Sequence, residues 1–422
     1  MIDVLMALWY ALVVIPAAAS PQLPPYSGPK PPWPYRGYSR FPAVWFGQNR
    51  SGLDSATEMA LEAKHQIVGW GWQQNYNTVG KYTANHTKGT NGTYYQQETS
   101  LAQMASRFAA YLEFSPPSNA RQVQATFVYR HMEVAEYYWS LAAAAFHDPR
   151  NAEMFLHSED GKVCWKTNDM TGPFWNFSNA RAMDWFVEEI GGELTREADI
   201  NAVFFDETDW LYCGPVFNNC SHKTVTADQY HHKIEMMRRL AVKLNAAGIW
   251  PIYSTFNGFQ GTEYRNCPFP FDEYYRTLAD VGWFRFYEWG IGNTKPEGGP
   301  GSQAQILQAL RESELGLPVI VHAYLDKDAK PPSTPRTLPL ALFLLAQTDY
   351  WYLGISSGWN DKDWSWWPEY DQHYGKPLGR ATQIMDPPGW RREFEGCTVT
   401  VTADLKNASI RFHSREHVQL LV

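Results

Sequence analysis

Apolar positions along the chain fall into short dense runs, separated by stretches in which apolar residues recur every three or four positions. The runs are 42–47 (PAVWFG), 67–72 (IVGWGW), 125–130 (ATFVYR), 172–177 (GPFWNF), 202–206 (AVFFD), 251–255 (PIYST), 284–289 (FRFYEW) and 318–324 (PVIVHAY). Their length and aromatic or β-branched content suit buried strands. Between them the period changes to that of amphipathic helices. The stretch TADQYHHKIEMMRRLAVKLNAAG puts Tyr230, Ile234, Met237, Ala241 and Leu244 on one face, opens with a Thr226–Gln229 capping box and stops at Gly248. ETSLAQMASRFAAYLEF and NARAMDWFVEEIGGEL follow the same pattern.

Strands alternating with helices imply a parallel sheet, and eight such units predict a closed (β/α)8 TIM barrel of the α/β class. A doubly wound open sheet competes with it, but no G-x-G-x-x-G follows the first strand. Links from helix to strand are short (EAKHQ, AAGIW, ELGL), whereas links from strand to helix are long, near 73–97, 207–225, 256–275 and 289–301. In a barrel the long links crowd one rim, and that rim carries the chemistry. Past the eighth run, 347–381 reads as irregular and aromatic, after which GCTVTV, ASIRF and VQLLV alternate as a small antiparallel sheet. The expected divisions are a leader at 1–19, a Pro-rich segment at 20–41, the barrel at 42–388 and a β-subdomain at 389–422.

The leader reading rests on an apolar run from Val4 to Ile15 and small residues at Ala17 to Ala19, too short to span a bilayer. Six N-x-[ST] sequons, at Asn49, Asn85, Asn91, Asn176, Asn219 and Asn407, point the same way, to a secreted or lumenal glycoprotein without a membrane span once the leader is removed. With five Cys the chain has too few for a disulfide scaffold; Cys213 and Cys220 suit a short closed loop, one further pair is available, and the odd Cys is expected as a buried thiol. No Cys/His spacing suits zinc, and no D-x-D-x-D-G loop suits calcium, so neither a metal nor any other cofactor is expected. A net charge of -8 argues against a nucleic-acid surface. The 19 Trp, 24 Tyr and 22 Phe cluster partly in polar segments such as GWGWQQNY and GWNDKDWSWWPEY, where flat rings with polar edges suit sugars.

The run AVFFD, counted as the fifth strand, ends in a carboxylate and leads into Glu207, Asp209 and Trp210. Two runs later, FRFYEW presents Glu288 and Trp289 at the matching end. Two carboxylates facing each other across a barrel mouth are the equipment of glycoside hydrolysis, so Asp206 and Glu288 are the candidate catalytic pair. Glu207, Asp209, Trp210, Tyr129, His131, Asn257, Trp289, His322 and Trp359 are candidate substrate contacts. Any one of these has an ordinary reading as well: a strand-end carboxylate often caps a helix or pairs with Arg, and a lone His is often structural.

The segment WNFSNARAMDWFVEEI followed by INAVFFDETDW, with YEW, YDQHYGKPLGRA and RREFEGCTVTV further on, resembles glycoside-hydrolase-like (β/α)8 barrel families that carry a small C-terminal β-domain. The likeness spans roughly residues 120–412. It implies a hydrolase barrel with Asp206 and Glu288 at the matching acidic positions. Two departures stand out: WNF where many relatives carry an Asp, and Asn201-Ala202 in place of a D-G pair. The leading expectation is a secreted glycoside hydrolase acting on an oligo- or polysaccharide. The alternatives are a non-catalytic carbohydrate-binding glycoprotein on a degenerate barrel and, third, a structural surface glycoprotein. The sequence leaves sugar, linkage and oligomeric state open.

Overall fold

The computed structural model describes residues 23–34, 41–75, 97–114, 123–165, 172–208, 227–254, 271–290, 303–325 and 337–413. Eight parallel strands form one sheet in sequential order: β1 (Val44–Gly47), β2 (Ile67–Trp70), β3 (Ala125–His131), β4 (Ala202–Asp206), β5 (Trp250–Ser254), β6 (Phe284–Gly290), β7 (Val319–Tyr324) and β8 (Trp351–Ser356). A parallel bridge between Ala43 and Leu353 joins the last strand to the first and closes the barrel.

The helices are α1 (Ala56–Glu62), α2 (Gln97–Phe114), α3 (Ser140–His147), α4 (Ala180–Trp185) continuing through a π-helical turn at Phe186–Ile190 into α5 (Gly191–Leu194), α6 (Ala227–Ala246), α7 (Phe271–Leu278), α8 (Gln303–Leu315) and α9 (Thr337–Ala346). The five apolar positions picked out on α6 are all buried, and Gly248 takes the positive φ of 77° expected of a helix stop.

The barrel is as the strand periodicity predicts, but the strand count shifts. GPFWNF is not a barrel strand. Its residues make single antiparallel bridges, Phe174 to Val134, Trp175 to Phe155 and Pro173 to Trp165, within the long excursion between β3 and α4. AVFFD is therefore β4 rather than the fifth strand, and each later run moves down by one. The eighth strand is WYLGIS, wholly buried, inside the segment read from sequence as irregular. Its Gly354 is a packing requirement rather than a turn signal: a Cβ there would lie 2.7 Å from the Trp364 ring and 3.0 Å from the Val44 carbonyl.

The interior is plugged by aromatic rings. Phe46 meets Phe127, Phe204 and Phe286 at centroid distances of 4.8, 4.9 and 6.1 Å, and Phe204 meets Phe286 at 4.7 Å. Gly69 on β2 leaves room for the Phe127 ring, which a Cβ would approach to 2.2 Å. Below this layer residues 23–34 of the Pro-rich segment pack under the barrel. Trp33 stacks on Phe284 at 6.4 Å and meets Trp250 edge-on at 6.1 Å, while Tyr26 donates to the Val281 carbonyl at 2.6 Å.

A four-stranded antiparallel sheet follows the barrel, in the order β12-β11-β10-β9, from β9 (Thr382–Met385), β10 (Pro388–Glu393), β11 (Cys397–Thr402) and β12 (Ala408–Phe412). It begins before residue 389, where the alternation placed it, and VQLLV lies outside the described residues. Helix α9 is buried from Pro339 to Ala346 because it lies between barrel and sheet, which explains its all-round apolar sequence. Arg392 of β10 clamps the end of that helix, donating to the carbonyls of Leu344, Leu345 and Gln347 at 2.8, 3.1 and 2.8 Å. Cys397 is a buried free thiol, as the odd count anticipated; Cys164 is disulfide-bonded, while Cys213, Cys220 and Cys267 lie outside the described residues. No described helix is long and apolar enough to cross a membrane.

Candidate active site

Strand alternation decides which side chains reach the mouth. Phe204 and Phe286 point into the barrel, so Asp206 and Glu288, two residues further along β4 and β6, share the inward face one layer above the aromatic plug. One strand, β5, separates them. Tyr129 and His131 have the same inward parity on β3, and His131 pairs in register with Asp206.

Asp206 is held as a hydrogen-bond acceptor on both oxygens. Tyr129 Oη donates to Oδ2 at 2.9 Å and the Glu207 backbone N–H donates to Oδ1 at 2.8 Å. Such an environment suits a carboxylate anion. Burial, then the neighbouring charge of Asp206, holds the Tyr129 phenol well above its ordinary range, so it remains a donor.

Glu288 sits in the opposite kind of environment. Burial, then the charges of Asp206 and Glu207, push its carboxyl up to about 8 from an ordinary 4.5. It is half-buried, two residues before the end of β6.

Glu207 follows Asp206 with a φ of 53°, a left-handed backbone that a non-Gly residue adopts only when its surroundings hold it there. Its Oε2 lies 2.7 Å from His131 Nε2. The Val134 N–H donates to His131 Nδ1 at 3.1 Å, so Nδ1 is the acceptor and Nε2 carries the proton given to Glu207. Glu136, also buried, stands 3.7 Å from the same Nε2.

His322 lies on β7, not on the eighth strand, and is buried. Ser356 donates its hydroxyl to the Gly358 carbonyl at 2.6 Å, so His322 Nε2 donates to Ser356 Oγ at 2.7 Å. Burial lowers its pKa to about 3, which keeps the ring neutral. Its ring packs against Trp359 at 4.4 Å and Trp364 at 5.1 Å, so it anchors the aromatic segment after β8. Trp359 also covers Phe46 and Phe286, at 5.0 and 6.4 Å, and is half-exposed over the barrel interior. Trp72, beyond β2, is half-exposed and stacks on Tyr138 at 5.2 Å. Of the other residues singled out from sequence, Trp289 lies on β6 opposite Ala323, and Asp209, Trp210 and Asn257 lie outside the described residues.

The mouth thus brings together Asp206, Glu207, Glu288, Tyr129 and His131. It adds Glu136 and Ser356, which carry no sequence signal of their own. Among the described residues no group of three or more His, Cys, Asp or Glu could hold a metal ion. The arrangement can donate a proton from one carboxyl while a second, hydrogen-bonded carboxylate stays charged.

Several solved structures are similar to this chain. One is Aspergillus fumigatus Ega3 in complex with galactosamine, at 10% identity and a TM-score of 0.40 over 81% of this chain and 99% of that one. Another is the α-N-acetylgalactosaminidase NagBb from Bifidobacterium bifidum, at 13% identity and a TM-score of 0.45 over 84% of this chain and 50% of that one. A third is a sulfoquinovosidase of family GH31 from E. rectale, at 13% identity and a TM-score of 0.44 over 83% of this chain and 46% of that one. No curated protein sequence matches. The family model of hypothetical glycosyl hydrolase family 15 matches residues 122–398, from the start of β3 through the start of β11 and so across both carboxylate-bearing strands. That match covers more than half of the chain, and the chain belongs to hypothetical glycosyl hydrolase family 15.

Proposed function

We propose that this protein is a glycoside hydrolase cleaving an oligo- or polysaccharide, with Glu288 as proton donor and Asp206 as the charged partner. The observation that carries the reading is the opposed environments of the two groups. Asp206 accepts a hydrogen bond on each oxygen, whereas Glu288 is pushed up to about 8 and so holds its proton at neutral pH. In the reaction Glu288 gives that proton to the glycosidic oxygen as the bond from the anomeric carbon breaks. Asp206 either bonds to that carbon or takes a proton from the water that attacks it. Separations of about 5–5.5 Å and about 6.5–9.5 Å distinguish the two routes, and the product anomer reports which one operates. Trp359, half-exposed over the barrel interior, and Trp72, half-exposed beyond β2, are the stacking faces we assign to sugar rings. We further propose that the chain passes through a secretory pathway, on the strength of its leader-like start and sequons; an enzymatic deglycosylation shift on the native protein checks this.

The test is hydrolysis of a broad glycan panel, followed by aryl and alkyl glycosides of the sugar identified. Folded Asp206→Asn is expected to lose both classes of glycoside. Folded Glu288→Gln should lose the alkyl glycosides by about 10²- to 10⁴-fold and retain much of the activity on aryl glycosides, whose leaving group needs no proton. Equal loss on both classes in Glu288→Gln would remove the acid role.

A further inference from the structure

The turn that presents Asp206 and Glu207 is held from beneath by residues distant in sequence. Thr208, fully buried, follows Glu207 directly. Its carbonyl accepts from Lys233 Nζ and from Tyr274 Oη, the latter at 3.1 Å, and its hydroxyl donates to the Ser254 carbonyl at the end of β5. Lys233 is fully buried on α6, and its ammonium lies 3.0 Å from Glu133 Oε1 and over the rings of Tyr230 and Tyr274 at 5.2 and 5.8 Å.

We propose that Lys233 is a positioning residue for this site, its buried ammonium gripping the Thr208 carbonyl so that the Asp206–Glu207–Thr208 turn keeps the shape that aims both carboxylates at the mouth. This rests on the hydrolase reading given above. Stability alone is a poor reason for the pair, because apolar residues of similar volume usually replace a buried ion pair without loss. Placement gives the better reason. Glu133 lies two residues past His131, and Thr208, the other partner of Lys233, lies two residues past Asp206, so Lys233 ties together the two backbone segments that carry the site. The left-handed Glu207 between them persists only if neighbours over-determine it, and Lys233, Tyr274 and Ser254 supply those constraints.

The test uses the full chain with Lys233→Met combined with Glu133→Gln, which removes both charges and leaves neither buried alone. Two readouts are taken: hydrogen exchange of the peptide covering 203–208, with β7 as internal control, and kcat and KM on a glycoside that the wild type cleaves. Exchange in 203–208 is expected to rise about tenfold or more while β7 is unchanged. The kcat should fall by about 30- to 100-fold with KM within about threefold. Unchanged exchange in 203–208, a rise shared equally with β7, or a kcat within about threefold of wild type would each overturn the assignment. Tyr274→Phe, which removes the other buried donor to the same carbonyl and keeps the ring, should shift exchange in the same direction by less; it carries the test if the double variant does not fold. If the wild type cleaves no glycan, the hydrolase reading fails, and the exchange arm alone still decides whether Lys233 holds the turn.

Discussion

Tyr129 on β3 gives its phenolic hydrogen to Asp206 on β4 at 2.9 Å, linking the ends of two neighbouring strands through the group proposed to act as the anion. The ring itself is fixed by stacking on Trp139 at 6.2 Å and by packing on Phe204 at 5.8 Å. Tyr129→Phe should therefore keep the packing and lose only the donor. A hydrogen bond to a charged group contributes about 1.5–3 kcal/mol to the folded state, so the variant is expected to lose up to that much stability, and kcat/KM should fall by about 10-fold or more as the charged partner loses its donor. Steady-state kinetics beside a thermal melt check both halves.

Glu207 bears on Glu288 through charge. It is one of the two neighbours that raise the Glu288 carboxyl, after burial. Removing a negative charge from beside an acid makes its ionisation easier, so Glu207→Gln should move the high-pH limb of activity downward from about 8. The pH–rate profile of the variant reads this directly, and a limb that stays put or moves upward contradicts it.

The same carboxyl has a cost in stability, with a definite sign. Its folded value of about 8 exceeds the ordinary 4.5, so its contribution is complete below about 4.5 and is lost as pH rises through about 8. Glu288→Gln cannot ionise. It should unfold at the same denaturant concentration as wild type near pH 4.5 but be more stable at pH 9, by about 2–3 kcal/mol. That is below the full linkage value because the group is half-exposed. Urea titrations at the two pH values make the comparison.

Away from the mouth, Arg285 on β6 faces outward and is fully buried against Glu312 of α8, also fully buried. The guanidinium packs over the rings of Phe271 and Tyr287 at 4.4 and 4.2 Å. Glu312→Ala leaves that cation without its carboxylate and should cost about 3–5 kcal/mol in denaturant unfolding. A loss below about 1 kcal/mol would mean that the pair is far more hydrated than its burial indicates.

Most of the barrel was legible because burial on both faces turns a parallel strand into a continuous apolar run. That rule also misled in two places. GPFWNF is as apolar as a strand, yet it buries its rings in the excursion after β3, with Trp175 stacked on Phe155 and Trp185 at 5.0 and 5.1 Å. WYLGIS lies inside the aromatic segment 347–381 that reads as irregular, and the small size of its Gly354 is needed for the approach of Trp364. Strand order alone, not local composition, separates the two cases.

The placement of Asp206, Glu288, Tyr129 and His131 near the ends of their strands was legible because strand ends and period-two alternation fix which residues reach the rim. The left-handed Glu207 was not, since nothing in D-E-T announces it. Lys233 reads as one more cation on a helix until α6 folds it beneath Thr208. The distinction between donor and anion was likewise unreadable, because it depends on hydrogen bonds to Asp206 and on the packing around Glu288.

The pH dependence of kcat/KM between pH 4 and 10, measured on a glycoside the wild type cleaves, tests the division of roles between the two carboxylates most directly, because this ratio reports the ionisations of the free enzyme. The expected result is a fall above about pH 8 as Glu288 gives up its proton, and no such limb in Glu288→Gln assayed on an aryl glycoside. A wild-type profile that stays level through pH 9, or a limb that survives intact in Glu288→Gln, would contradict the assignment of Glu288 as the proton donor.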